Sequence, residues 1–248
     1  MTQSGHRQAY ILNMIETQEI PWKRLAVEAV AIVGSILLAF AIDAWWEDVK
    51  DTRQQAKLIA ALQLDFETTK ARLETSIEYA DSLIARTNSF FQAADSNESV
   101  PIDSLRHFGG GAFHKIDFEP AVSAYEGAVA TGELGSIESP MLHKSFTEFN
   151  EALDSYELHD RISADIHYLG PIWDVRRKYG SLSVLFDDPS AFPIRVHLTD
   201  TEIRQLYADP IVTGAIEAVA TANESIANNL QKMDEAATKI LSELGRLQ

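Results

Sequence analysis

The sequence predicts an all-α protein, in which an N-terminal transmembrane helix continues into a long helix and an extracytoplasmic antiparallel helical bundle follows. Three observations predict this fold class. A run of about 20 mostly apolar residues lies between Trp22 and Trp46, long enough for a bilayer. Neither glycine nor proline occurs between Trp46 and Pro101, so nothing stops the helix there. Two later segments, 59–91 and 212–244, place apolar residues at spacings of three and four.

The chain divides into three parts by composition. Residues 1–21 form a short cytoplasmic segment, residues 22–46 the transmembrane helix, and residues 47–248 a helical periplasmic domain. Within that domain we expect four main helical segments: 47–94, 120–132, 140–179 and 210–245.

The predicted span is marked at both ends by tryptophan. Trp22 stands at one end and Trp45 with Trp46 at the other, where indole rings suit the membrane interface. Pro21 lies just before the span, where its missing N–H costs no helical hydrogen bond. These features indicate a helix that crosses the bilayer once.

The charges that flank the span predict its direction. Lys23 and Arg24 abut its N-terminal end, whereas Asp43, Glu47 and Asp48 stand at its C-terminal end. Because positive flanks stay in the cytoplasm, we expect a cytoplasmic N-terminus and a C-terminal domain on the far side of the membrane, which in a bacterium is the periplasm.

Glu28 is the one ionisable residue between Leu25 and Ile42. Arg24 lies four residues earlier on the same helix face and is expected to pair with it. Two other hypotheses are a contact between helices of an oligomer and an ion path. Asp43 is interpreted as a solvated group at the interface. The predicted membrane-anchoring residues are therefore Trp22, Lys23, Arg24, Glu28, Asp43, Trp45 and Trp46.

Cleavage of the span is an alternative interpretation. The triplet Ala39-Phe40-Ala41 fits the small-x-small pattern of a signal-peptidase site, and cleavage after Ala41 would release a soluble domain. The basic flank comes late and the apolar run continues close to Trp45, which favours an uncleaved anchor.

Two stretches resemble a family of uncharacterised bacterial single-pass inner-membrane proteins. In that family the span opens with a Gly-Glu pair and closes on a pattern like ALQINNWNE. Here Val27-Glu28 opens the span and AFAIDAWWE (39–47) closes it, with valine in place of the glycine and Asp43-Ala44 in place of the asparagines. The later stretch 123–137 is also similar. The resemblance implies a membrane anchor and a helical extracytoplasmic part, and it implies no activity.

Composition excludes several classes of function. The chain has 248 residues and a net charge of −16, almost all of it after the span. A surface this acidic repels phosphate backbones, so we expect no nucleic-acid partner. The absence of cysteine excludes disulfides, thiolate catalysis and cysteine-ligated metals. We expect no cofactor.

The first of the two later segments continues the span and carries a seam, by which we mean a stripe of apolar or small residues along one face of a helix. We expect one helix from Trp22 to about Ala94, roughly 110 Å long, that holds the domain away from the membrane. Its apolar or small residues recur at spacings typical of a coiled coil. They are Ile59, Leu62, Phe66, Thr69, Leu73, Ile77, Ala80, Ile84, Thr87 and Phe91.

The second seam lies in the last helix, which Asp209-Pro210 opens. It has the length of the first, so we expect the two to pack antiparallel, with Asn223 fixing the register. Self-association of one seam in an oligomer is the alternative. The seam consists of Val212, Ile216, Val219, Asn223, Ile226, Leu230, Met233, Ala237, Ile240 and Leu244.

Shorter elements are predicted from caps and breakers. We expect a short helix over 102–108 that Gly109-Gly110-Gly111 breaks as a flexible loop. Another helix should start at Glu119-Pro120 and end at Gly132 as the C′ glycine.

The following helix has Ser139 as its N-cap and an apolar stripe, and is interrupted at Gly170-Pro171. The stripe is Leu142, Phe146, Phe149, Leu153 and Tyr156. Residues 180–199 are expected to be irregular, with an extended piece at 194–197, and Asp200 is expected to cap a short helix up to Tyr207.

No catalytic, cofactor-binding or metal-ligating set stands out among the seven histidines. His159, Asp160 and His167 form the densest group, but two imidazoles eight residues apart lie about 12 Å apart along a helix. The basic patch 173–178 is expected to pair with local carboxylates.

We therefore expect a non-catalytic periplasmic interaction or sensory module of unknown role. Its expected partners are the lipid bilayer and either copies of itself or another membrane or periplasmic protein. The alternative is a membrane-tethered hydrolase that uses the region of His159, Asp160 and His167.

Overall fold

The computed structural model describes residues 22–95, 100–111, 113–180 and 198–248. Within these ranges all regular structure is helical, which confirms the predicted fold class. The predicted segment 1–21 and residues 181–197 of the segment expected to be irregular, with its extended piece at 194–197, lie outside the described residues. The elements are α1 (Trp22–Asp95), α2 (Ile102–Gly111), α3 (Ser123–Thr131), a 3₁₀ turn (Glu133–Ser136), α4 (Pro140–Tyr168), α5 (Pro171–Tyr179), α6 (Asp200–Tyr207) and α7 (Pro210–Arg246).

The chain divides into two compact units between Gln54 and Gln55. The described part of the first unit is helix α1 up to Gln54, which includes the predicted span. The second unit begins with the remainder of α1 and contains α2 to α7.

Helix α7 packs against both α1 and α4 in the second unit. It runs antiparallel to α1, because Lys70 pairs with Asp234 at 2.7 Å and the predicted seams of both helices lie in shared core clusters. It runs antiparallel to α4 as well, since Lys239 bonds to Glu148 at 2.7 Å. The predicted antiparallel packing of the two seams is confirmed, and α4 completes a three-helix core.

The two seams were predicted with unequal success. All ten residues of the α7 seam are buried. In α1 the predicted Ala80 and Thr87 are buried, but Leu83 and Phe90 are fully buried where Ile84 and Phe91 were expected, and those two are half-buried beside them. Buried positions recur every seven residues from Ile59 and from Leu62, except at Ser76, which is half-buried like its neighbour Ile77.

The three glycines do not break α2, contrary to the sequence prediction. Gly109, Gly110 and Gly111 form its last turn and are buried. A Cβ on Gly109 would stand 2.4 Å from Cε1 of Tyr207, so the missing side chain lets the tyrosine ring pack against the helix backbone. The glycines are therefore a packing surface.

An extended strap, residues 113–122, runs along α1 and α4 where a helix was expected from Glu119. Side chains of the two helices satisfy its backbone. The Thr69 hydroxyl bonds both the N–H and the carbonyl of Ala121 at 2.9 Å, and the Phe118 N–H donates to the Tyr156 hydroxyl at 2.8 Å. Because these groups have partners outside a helix, α3 starts only at Ser123.

Helix ends follow the predicted chemistry with one correction. Ser139 caps α4 by accepting from the Leu142 N–H, and Gly132 ends α3 in the left-handed region at φ 77°. Asp209 caps α7. Helix α6 is capped by Thr199, which forms a capping box with Glu202, and not by the predicted Asp200.

We predict that Gly109→Ala destabilises the protein by about 1–3 kcal/mol, because the buried Tyr207 ring cannot move aside without leaving its own packing. Thermal unfolding of the full chain in detergent, followed by circular dichroism, measures the effect. Gly127→Ala is the matched control: it lies in exposed α3 with open space around it, so it should leave stability unchanged or raise it by up to about 1 kcal/mol. Equal midpoints for both variants would contradict the packing role of Gly109.

Candidate functional site

The predicted membrane anchor is a helix whose apolar side chains are all exposed. By length and composition α1 contains one segment that could cross a membrane, and none of that segment is buried. Trp22, Trp45 and Trp46 are exposed at its ends, at 73%, 62% and 59%. A core helix of a soluble protein would bury such a face, so the segment needs an apolar surrounding from elsewhere.

Polar groups within the span are satisfied by the helix itself. The Arg24 guanidinium bonds to Glu28 at 3.0 Å, as the spacing predicted. The Ser35 hydroxyl donates to the carbonyl of Ile32 at 2.8 Å. Lys23 and Asp43 lie exposed on the same helix. Internal satisfaction of polar groups is what a helix in hydrocarbon requires.

In the second unit a groove of about 740 Å³ lies between the strap and α4. Phe118, Pro120 and Leu153 line it with apolar surface, and Asp117 and Glu157 place carboxylates on it. The apolar surface can accommodate an apolar side chain of a binding partner, and the carboxylates can accommodate a positive charge beside it. Sequence reasoning missed this groove, because the strap has no periodicity and its contacts to α4 are distant in the chain.

Lys115 bridges two of the carboxylates that line the groove. Its ammonium lies 2.7 Å from Asp160 and also pairs with Asp117. Burial opposes the charge, but the hydrogen bonds to the two carboxylates outweigh it and hold the pKa of Lys115 above its usual value. The bridge fixes the strap to α4.

Tyr156 stands at the centre of the groove wall. Burial, reinforced by the nearby Asp160 carboxylate, raises the pKa of Tyr156 to about 12. Its ring packs edge-on against Phe118, with centroids 5.7 Å apart, while its hydroxyl accepts from the strap backbone. The residue therefore acts as a neutral anchor for the strap at neutral pH.

The structure does not bring His159, Asp160 and His167 together as a triad. Each imidazole has Nδ1 at 2.7 Å from a carbonyl of its own helix, that of Ser155 or Ser163. Asp160 pairs with Lys115 and with neither histidine. Among the described residues no group of three or more histidines and carboxylates is arranged to hold a metal ion. The hydrolase alternative stays a prediction that none of these contacts supports.

The basic patch 173–178 pairs with carboxylates, as predicted. Arg177 bonds to Asp174 within α5, and Lys178 bonds to Asp209, the N-cap of α7. The hydrogen bonds to Lys178 and Tyr179 lower the pKa of Asp209 to about 2. This pair ties α5 to the start of α7.

We predict that Tyr156→Phe lowers the free energy of unfolding by about 1–2 kcal/mol, because it leaves the Phe118 N–H without its acceptor. Chemical denaturation of the full chain in detergent measures the loss. Tyr168→Phe, at a position 61% exposed on the same helix, should change little. A loss as large for Tyr168→Phe would show that the strap bond is not the cause.

Comparisons of the chain with protein families, with curated proteins and with solved structures find no match. They neither support nor contradict the resemblance of residues 27–47 to the single-pass membrane family, which stays a prediction.

Proposed function

We propose that this protein is a single-pass membrane protein of the bacterial inner membrane whose helical domain acts as a non-catalytic interaction or sensory module. The observation that carries the proposal is the wholly exposed apolar segment of α1. A surface of this size favours a lipid environment, because in water it would expose the face of a full transmembrane helix. The internally paired polar groups at Arg24, Glu28 and Ser35 support the same placement.

The direction in the membrane follows from the flanking charges. Lys23 and Arg24 favour a cytoplasmic N-terminus, so the domain after Trp46 lies in the periplasm. A module on that side of the membrane would act on a partner protein or on a second copy of the chain.

The second unit offers a surface for such a partner. The groove between the strap and α4 combines apolar surface with the carboxylates of Asp117, Glu119, Glu157 and Asp160 against the one guanidinium of Arg161. Asp117 and Asp160 already pair with Lys115, and the chain as a whole has a net charge of −16. These charges favour a basic segment of a protein partner and disfavour nucleic acid.

The lack of cysteine makes the topology directly testable. We predict that a membrane-impermeant maleimide labels Glu224→Cys, and does not label Gln3→Cys, in bacterial cells whose outer envelope is permeabilised. Glu224 is exposed on α7, so access should depend on the compartment alone. Labelling of Gln3→Cys but not Glu224→Cys would reverse the orientation. Both variants should be labelled after lysis.

Membrane integration should depend on the apolar segment. We predict that the double substitution Leu37→Arg and Leu38→Arg shifts the protein from the carbonate-resistant membrane fraction to the soluble fraction, since each central arginine costs about 2.5–3.5 kcal/mol of insertion. Leu158→Arg, at an exposed position of α4, is the control and should stay in the membrane.

The intact mass of the wild-type protein separates the anchor from a signal peptide. A mass that begins after Ala41, together with a soluble wild-type protein, would overturn the proposed anchor.

A further inference from the structure

A layer of buried polar side chains divides the core of the second unit. One apolar cluster includes Leu83 of α1 and Ile226 of α7, and the other includes Phe90 and Val219 of the same helices. Between the residues of the two clusters, α1, α4 and α7 each carry buried polar side chains: Thr87, Ser163, His167 and Asn223. We call these four residues the polar layer.

The pairing of α4 with α7 places the residues that these two helices contribute to the polar layer at the same height along the helix axes. The amide of Asn229 lies 3.3 Å from Nδ1 of His159, which aligns these two residues in the antiparallel pair. Asn223 is six residues back from that point, about 9 Å along α7. The same distance along α4 falls midway between Ser163 and His167, which are one turn apart.

The polar layer contains buried atoms that have no hydrogen-bond partner among the described residues. They are the hydroxyl of Ser163, Nε2 of His167, and both the oxygen and the nitrogen of the Asn223 amide. An unpartnered buried polar group destabilises the folded state, and such groups in native proteins usually bond to buried water. Four such atoms on two packed helices indicate a site that binds buried water.

The tautomer of His167 follows from its one bond. Nδ1 lies 2.7 Å from the carbonyl oxygen of Ser163, which can only accept, so Nδ1 carries the proton. In the neutral ring Nε2 is then an acceptor. It suits a water that also bonds to the Asn223 amide or the Ser163 hydroxyl.

We propose that the polar layer binds buried water between α4 and α7 and acts as an acid-sensitive joint, in which a solvent proton that adds to Nε2 of His167 loosens the packing of the two helices. Protonation turns the acceptor Nε2 into a donor and puts a charge into the core, so the water bridge must rearrange. The inference rests on the proposed function, for which it names a signal: acidification of the compartment that holds the domain.

The surroundings of His167 disfavour its charged form. Burial is the largest cause that lowers the pKa of His167, and Lys115 of the strap and Arg176 of α5 add to it. The bond to the Ser163 carbonyl and the Asp117 carboxylate oppose them. The side chains that α1 and α7 bury at this level, Thr87 and Asn223, are uncharged.

The sign of the pH effect follows. The unfolded chain takes up a proton at His167 near pH 6.5, whereas the native state does so only at lower pH. Stability is therefore complete above about pH 6.5 and falls as the pH drops toward the native pKa, with the unfolding equilibrium constant rising by up to about tenfold per pH unit.

The test compares the full chain in detergent with its His167→Asn variant between pH 7.5 and 5. Asparagine keeps a donor for the Ser163 carbonyl and cannot take up the proton. In the wild type the unfolding equilibrium constant should rise by up to about tenfold for each pH unit of acidification because of His167, and the variant should lack this rise. His159→Asn is the matched control, since His159 makes the same bond to its own helix but is half-buried outside the polar layer. The control should keep the wild-type slope.

Hydrogen–deuterium exchange of the wild-type protein gives a second readout that needs no variant. After correction for intrinsic exchange, protection should fall between pH 7.5 and 5.5 in the segments 159–168 and 219–226, and persist in 226–244. Equal pH slopes for wild type and His167→Asn, or unchanged protection across the polar layer, would overturn the joint. Neither result bears on the maleimide labelling and fractionation, so failure of the joint and failure of the membrane anchor are distinguishable.

Discussion

Helix α7 buries one face against α1 and another against α4, and the second unit is built around this double contact. A helix that meets one partner needs a narrow apolar stripe, whereas α7 also buries Ala215, Ala222 and Ala236 beside its seam. These small residues widen the buried face of α7. The strap, α3 and the glycine-rich end of α2 pack around the framework of these three helices.

A feature of the fold could be predicted from the sequence where its cause lies in residues that are close together in the chain. The α7 seam was predicted residue by residue, because its positions repeat at spacings of four and three throughout. In the α1 seam Ile84 and Phe91 were chosen in place of Leu83 and Phe90, because two apolar residues are adjacent at each point and hydrophobicity alone does not distinguish them. The burial of Gly109 could not be predicted, since its cause is Tyr207, almost a hundred residues away.

The candidate sites show the same division. The anchor and the bond between Arg24 and Glu28 follow from composition and from a spacing of four, so both were predictable. The groove was not, because the strap is held by side chains of α1 and α4 and not by any pattern of its own. Asn223 was expected to fix the register of a seam. That role stays a prediction, and the Asn223 amide also belongs to a layer with Ser163 and His167 of α4, which nothing in the α7 repeat indicates.

The pairing of the first and last helices of the second unit has a consequence for biosynthesis. Lys70 and its partner Asp234 are 164 residues apart in the chain, so the ribosome makes α7 long after α1. The apolar face of α1 therefore stays uncovered until α7 has been synthesised, and such distant contacts close slowly. If the domain crosses a membrane as it is made, that face enters the new compartment without its partner. Apolar surface exposed in this way is prone to aggregate, and the arrival of α7 removes the hazard.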